Sequence, residues 1–209
     1  PQGISFRAAV AFTGGAARLE LWATASARAQ SSTLLLYGHA PGAASGVLSL
    51  RVTVLPSLGA VPVRVVSGGY RSYPLAQFVW GGQVLFSAGG GGPGRGINVL
   101  AVDSAKGVFS PVRSFDTWGD PTASSRLVEY LNSLPAGVVA MFAAADDGSL
   151  LLSKQARAAI AAMFGSRLIG ALGYQQSWAL IGRKGGPPLA EGASLTTQIV
   201  LDRTLVFPQ

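Results

Sequence analysis

Nine carboxylates and one histidine are the groups with which this chain could do acid–base chemistry. Only one pair of acids is adjacent, in Asp146-Asp147-Gly148-Ser149. Glycoside hydrolysis needs two carboxylates facing one bond across about 5 to 9.5 Å. Neighbours in a turn point apart, so Asp116 or Asp120 would have to supply the second group. His39 sits beside the turn Ala40-Pro41-Gly42 with no acid near it in sequence, which suits a structural or surface residue. There is no cysteine, hence no Cys/His pair, thiolate metal site or disulfide. No Gly-x-Ser-x-Gly nucleophile elbow occurs. The expectation is a non-enzymatic chain with no catalytic residues, metal or cofactor.

The same residue types suit binding. A carboxylate and a guanidinium can each grip a pair of hydroxyls, and an aromatic face or apolar wall can take a sugar ring. Arg95 is framed by glycines in Gly94-Arg95-Gly96, and Asp146 opens the acidic loop. Each has a plainer reading. Arg95 can pair with Asp116 or Asp146 to anchor a loop. Asp146 and Asp147 can cap or turn the backbone. Trp118 and Trp178 lie in strand-like runs and are expected in the core. Gly182-Arg183-Lys184-Gly185-Gly186 reads as a solvated basic turn.

Composition narrows the class. Of 209 residues, 49% are hydrophobic and 12% charged, which indicates a folded, core-rich chain. The net charge of +7 comes from scattered cations and not from runs. Nucleic-acid binders cluster them on one face, so nucleic acid is not the expected partner. A basic surface suits an acidic polysaccharide equally well. No apolar run reaches the roughly 18 residues of a membrane span.

The elements follow from periodicity. Residues 1–58 read as four strands of one antiparallel sheet: Ile4 to Phe12, Arg18 to Trp22, Ser32 to Tyr37 and Val47 to Leu55. Pro56 to Pro62 reads as a boundary, leaving residues 59–209 as a second domain. There Val61 to Ser67 is a strand, and Phe78 to Phe86 a hairpin around Gly81-Gly82. The glycine-rich loop Ser87 to Gly94 runs into the strand Ile97 to Val102 and not into a helix, so a phosphate cradle is not expected. Val112 to Trp118 and Val138 to Phe142 are further strands. A helix capped by Thr122 or Ser124 carries Leu127, Leu131 and Leu134 and stops at Pro135. A second starts at Ser153 and ends at Gly165, and a short third spans about Arg167 to Leu172. Trp178 to Ile181 is a buried strand, and the tail adds one or two more. Strands that flank the helices without alternating predict an α+β fold of antiparallel sheets with about three helices, preceded by a small β module. Four short strands are thin on their own, and their edges invite pairing. Residues 1–58 are therefore expected to pack on the second domain or on a neighbouring subunit.

Four pieces in order carry a resemblance: Gly94-Arg95-Gly96-Ile97-Asn98-Val99, Ser114-Phe115-Asp116-Thr117-Trp118, Asp146-Asp147-Gly148-Ser149, and Gly173-Tyr174 through Gly185-Gly186. Together, over roughly Val61 to Leu201, they resemble the interleukin-like EMT inducer domain, also called the GG-type lectin domain. Ala171-Leu172-Gly173 and Gly182-Arg183-Lys184-Gly185-Gly186-Pro187 are similar to the lectin-like stem domain of the O-mannose N-acetylglucosaminyltransferase. The resemblance implies an extracellular or secretory-pathway protein that binds a glycan or glycoprotein, β-linked N-acetylglucosamine being one such sugar. It implies a sugar site at Arg95, Asp146 and Gln175, with Asp147 and Tyr174 beside them. Gln175 is a departure, because the stem-domain relative resembles Gly-Trp-Arg-Asp where this chain has Gly173-Tyr174-Gln175-Gln176. The absence of cysteine departs from the disulfide-bonded animal members. Two other roles stay open: a structural or assembly subunit that has lost the sugar site, and a secreted cytokine-like ligand.

Overall fold

The computed structural model describes residues 8–13, 16–21, 30–38, 46–54, 60–89, 92–103 and 108–206. His39, the turns at Gly14-Gly15, Ala40-Pro41-Gly42 and 104–107, and Pro56 lie outside them. The chain divides into two units, Pro1–Ser57 and Leu58–Gln209. In the first, β1 (Ala8–Thr13) pairs antiparallel with β2 (Ala16–Leu21), and β3 (Gln30–Gly38) with β4 (Gly46–Val54). Among the described residues these are two two-stranded ladders, where alternation predicted one sheet of four.

The second unit starts with β5 (Ala60–Gly69), β6 (Leu75–Trp80) and β7 (Gln83–Gly89). Gly81 and Gly82, at φ 58° and 83°, take the two positive-φ positions of the tight turn between β6 and β7. Next come β8 (Gly96–Asp103), β9 (Val108–Phe109), β10 (Arg113–Phe115) and the helix α1 (Ala123–Ser133). Then follow β11 (Val139–Asp146), α2 (Lys154–Phe164), β12 (Ser177–Arg183), β13 (Pro188–Ser194) and β14 (Ile199–Val206). β5 to β14 form one ten-stranded sheet. It is mixed and not wholly antiparallel, because the ends of β11 and β5 pair in parallel at Ala145↔Gly68 and Asp146↔Gly69. Elsewhere β11 lies between β8 and β12. β12 also packs against β5 and β14.

Burial follows from this packing. β8, β11 and β12 are buried along nearly their whole length. On one face Ile97, Val99, Phe142, Trp178 and Leu180 pack with Leu127, Leu131, Ile160 and Phe164 of the helices. Alternate residues, Leu100, Met141 and Ile181, point the other way by the two-residue period and are equally buried. A strand covered on both faces reads as a continuous apolar run, as these do. The first half of β5 is covered on one face, so Val61, Val63 and Val65 are buried while Pro62 and Arg64 are exposed, and from Val65 to Gly69 every residue is buried.

Helix ends account for two corrections. α2 ends as expected: Ser153 Oγ accepts from Ala156 N at 3.1 Å, and Gly165 closes the helix at φ 70°. α1 has no side-chain cap. Thr122 Oγ1 donates to Asp120 Oδ1 at 2.7 Å, and Ser124 Oγ donates to Leu151 O at 2.7 Å. The expected third helix is a single 3-10 turn, Ile169–Ala171. Two groups hold it short. Arg157 Nη1 takes the carbonyls of Ile169 (2.7 Å) and Leu172 (2.9 Å), and the Glu191 carboxylate accepts Arg167 N at 2.8 Å. Those bonds fix the backbone where a further helical turn would have to grow.

A candidate ligand-binding rim

One rim of the sheet gathers most of the residues that the sequence singles out. The C-terminal end of β11 meets the start of β8 through Ala145↔Gly96 and the end of β5 through Asp146↔Gly69. The start of β12 joins them, because Gly69 N donates to Ser177 Oγ at 2.9 Å. Arg95 precedes β8, Asp146 ends β11, Tyr70 to Tyr73 follow β5, and Tyr174-Gln175 precede β12.

Glycine makes this convergence possible. A Cβ on Gly96 (φ 93°) would stand 2.1 Å from Phe115 O. One on Gly94 would meet Ala88 Cβ at 2.3 Å, and one on Gly69 would meet Gln175 O at 2.2 Å. Gly94-Arg95-Gly96 is thus a backbone clamp that sets an arginine between two close approaches.

Arg95 is held by both of its sides. Its Nε donates to Asp116 Oδ1 at 3.0 Å and its Nη2 to Asp116 Oδ2 at 2.6 Å, a two-pronged ion pair. Its Cζ lies 4.3 Å from the ring centroid of Trp118, within cation–π range. Asp116 Oδ1 also accepts Gly119 N at 2.9 Å. The Arg95 bond chiefly holds the Asp116 carboxyl below the usual carboxylate range, burial opposing it. Arg95 is raised in turn by Asp116, and Asp146 adds a further attraction. Trp178 is buried in the core as expected. Trp118 is not: it is 39% exposed and serves as the floor under Arg95.

The other predicted positions divide sharply. Asp146 is half-buried, sits at φ 63°, and has no hydrogen-bond partner for its carboxylate among the described residues. Gln175 stands at φ 60° and its Oε1 accepts from Arg71 Nε at 3.2 Å. Tyr174 is exposed. Asp147 is turned into the protein: it is 1% exposed, and its Oδ1 accepts Ser149 N at 2.6 Å and Ser149 Oγ at 2.8 Å. It closes the loop and is not presented at the rim. Arg95, Asp146, Gln175 and Tyr174 are therefore brought to one rim, and Asp147 is set behind it.

Residues 70–73 belong to this rim and were not singled out from sequence. Tyr70 and Tyr73 are 60% and 75% exposed. Tyr73 is at φ 76°, so all three positive-φ residues other than glycine among the described residues, Tyr73, Asp146 and Gln175, lie on this rim. Side chains in that region carry backbone strain that a fold retains only where its surroundings impose it. The signal available in sequence was Gly68-Gly69-Tyr70-Arg71-Ser72-Tyr73-Pro74, a turn unusually rich in aromatic and cationic groups.

Lys184 corrects another expectation. It is not in a solvated turn: its Nζ donates to Leu131 O at 2.7 Å, Leu134 O at 2.5 Å and Asn132 O at 3.2 Å. It closes the carboxyl end of α1, where orphan carbonyls and the helix dipole both favour a cation. Arg183 Nη1 donates to Gly137 O at 3.1 Å. Among the described residues no helix is long and apolar enough to cross a membrane, and no three metal-ligating side chains cluster.

Comparison with known proteins places the similarity on this half of the chain. The family model described as interleukin-like EMT inducer matches residues 95–186. Protein FAM3C of Rattus norvegicus is 37% identical over 103 residues, 49% of this chain and 44% of that protein. Protein FAM3C of Homo sapiens is 34% identical over the same shares. The cell migration-inducing and hyaluronan-binding protein of Mus musculus is 37% identical over 93 residues, 44% of this chain and 7% of that protein. The chain spans less than half the length of these relatives.

Proposed function

We propose that the rim is a carbohydrate-binding surface on an extracellular, non-enzymatic protein, a reading supported by the match of residues 95–186 to the interleukin-like EMT inducer family model. Asp146 carries this reading. It is a half-buried carboxylate in a strained backbone, with no hydrogen bond among the described residues, beside a guanidinium that rests on an indole. Such a carboxylate can accept from two neighbouring hydroxyls, as a sugar ring presents them. Arg95 keeps Nη1 for a ligand while Asp116 takes its Nε and Nη2. The name of one relative includes hyaluronan binding, and a net charge of +7 is compatible with an acidic glycan here too. β-Linked N-acetylglucosamine is the first ligand to try. A glycan array followed by titration tests the reading. The expected result is weak but specific binding, lost in Arg95→Ala and Asp146→Ala. A wild-type chain silent at millimolar sugar, or two variants that bind as well as wild type, sinks it.

A second reading has its own support. The rim exposes Tyr70, Tyr73, Trp118 and Tyr174, and tyrosine and tryptophan are favoured at protein interfaces. A cytokine-like ligand or an assembly subunit would use that surface toward protein. Light scattering over a concentration series, with and without sugar, separates the readings. Self-association without any sugar binding favours assembly, and a monomer that binds sugar favours the first.

A further inference from the structure

Resting on the carbohydrate reading, we infer that the rim carries a second subsite, built by Arg71, Tyr73 and Gln175. Its ligand is then an oligosaccharide chain and not a single terminal sugar. Tyr73 is the starting observation. It stands at φ 76° and ψ 103°, and yet its side chain is 75% exposed. Burial does not offset the strain. Two other elements impose it: Gln198 Nε2 donates to Tyr73 O at 3.1 Å, and Gly68 makes room for that carbonyl, since a Cβ there would stand 2.0 Å away. The fold thus holds an aromatic face outward against its own backbone preference. Such a face is what a sugar ring stacks on.

Arg71 supplies the polar half. Its Nε donates to Gln175 Oε1, and no carboxylate pairs with it among the described residues, so both Nη groups stay available. Gln175 is itself at φ 60°, and its carbonyl packs against Gly69, the residue paired with Asp146. Asp146, Gly69, Gln175 and Arg71 therefore form one linked row, and the two subsites cannot move independently. The strand order β10-β8-β11-β5-β6 sets Trp118 and Tyr73 at opposite ends of that row. Trp118 lies under Arg95 at the start of β8 and Tyr73 follows β5, so two to three strand steps of about 4.8 Å give a contour on the order of 10–14 Å, longer than one sugar ring. Aromatic faces at both ends, with Arg95 and Asp146 at one and Arg71 and Gln175 at the other, fit consecutive units of a chain. The free Nη groups suit a uronate carboxylate on one of them.

Calorimetric titration of the whole chain with β1,4-linked N-acetylglucosamine oligomers, from monosaccharide to hexasaccharide, and with hyaluronan oligosaccharides tests this. Affinity is expected to rise roughly tenfold from monosaccharide to tetrasaccharide, about one decade in the dissociation constant. Arg71→Ala and Tyr73→Gly should erase that gain, whereas Asp146→Ala should remove monosaccharide binding as well. Tyr73→Gly should also keep or raise the thermal midpoint, because glycine adopts φ 76° without steric cost. A merely structural Tyr73 would not pair lost affinity with undiminished stability. If hyaluronan oligosaccharides show the larger gain and lose more of it in Arg71→Ala, the uronate assignment stands. Binding that does not depend on chain length, or a Tyr73→Gly variant that binds hexasaccharide like wild type, overturns the second subsite and leaves the first reading intact. Failure of every oligomer, the monosaccharide included, overturns both.

Discussion

Gly94-Arg95-Gly96 and Gly182-Arg183-Lys184-Gly185-Gly186 look alike as sequence, each a cation set among glycines. They lie near opposite ends of β11: Gly96 pairs with Ala145 and Arg183 with Val139. At the first end Arg95 is paired to a carboxylate, floored by Trp118 and still partly exposed. At the second end Lys184 is taken by three carbonyls of the α1 terminus. The difference lies in what the neighbouring element leaves unsatisfied. A helix that ends at a cation offers orphan carbonyls and takes the cation. A strand end offers no such demand, and the cation faces outward. Asp146 and Asp147 repeat the lesson one residue apart.

The largest effect expected is at the clamp. Gly96→Ala places a Cβ against Phe115 O, and no flexible side chain is there to yield. A loss on the order of 3 kcal/mol or more in denaturant unfolding is expected, because strain and a backbone clash add. A loss under about 0.5 kcal/mol, the range of ordinary surface substitutions, would mean that the Gly-Arg-Gly motif is not a clamp.

Next comes the opposite end. Lys184→Met is expected to cost about 1–2 kcal/mol, since a charge-assisted cap on partly buried carbonyls is removed. Ligand binding at the rim should be unchanged. If binding falls while stability holds, the division between the two ends is wrong.

The ion pair should matter less. Asp116→Asn is expected to cost about 1 kcal/mol near neutral pH, because the pair is partly exposed to solvent. Asp116 has its carboxyl held below the ordinary range in the folded state. Its contribution is therefore present above the unfolded pKa of about 4, and is lost as pH falls through the folded value. Melting curves of wild type and Asp116→Asn should converge below that range. Curves that stay parallel into acid would show that the pair contributes through packing and not charge.

The smallest effect has the opposite sign. Asp146→Gly relieves a positive φ and should stabilise the fold by about 0.5–1 kcal/mol while removing rim binding. A destabilised Asp146→Gly would show that the carboxylate is structural, and would bring Asp146 closer to Asp147 in role.

Much of the fold is legible in the sequence. The apolar runs of β8, β11 and β12, the hairpin at Gly81-Gly82 and the Ser153-to-Gly165 bounds of α2 were each written in local pattern or in a residue with one conformational use. β13 was not, because Pro188-Leu189-Ala190-Glu191-Gly192-Ala193-Ser194 has neither alternation nor a long apolar run. It is a strand because β12 offers it a hydrogen-bonding edge. The parallel meeting of β5 and β11 left no trace either, since two residue pairs impose no period.

By itself, then, the sequence determined most element types, the core strands, and the polar residues that come together at the rim. Which of those residues face outward was decided by tertiary structure. The strand ends in a left-handed residue at Asp146, and past it the chain turns inward, so Asp146 stays half-buried at the rim while Asp147 is buried. Whether a cation is spent on the fold or left for a partner depends on which chain end it meets. For Lys184 that end is the carboxyl terminus of a helix fifty residues back, for Arg71 a glutamine 104 residues ahead. No local pattern encodes meetings at such separations, because only the closing of the sheet brings them within hydrogen-bond range.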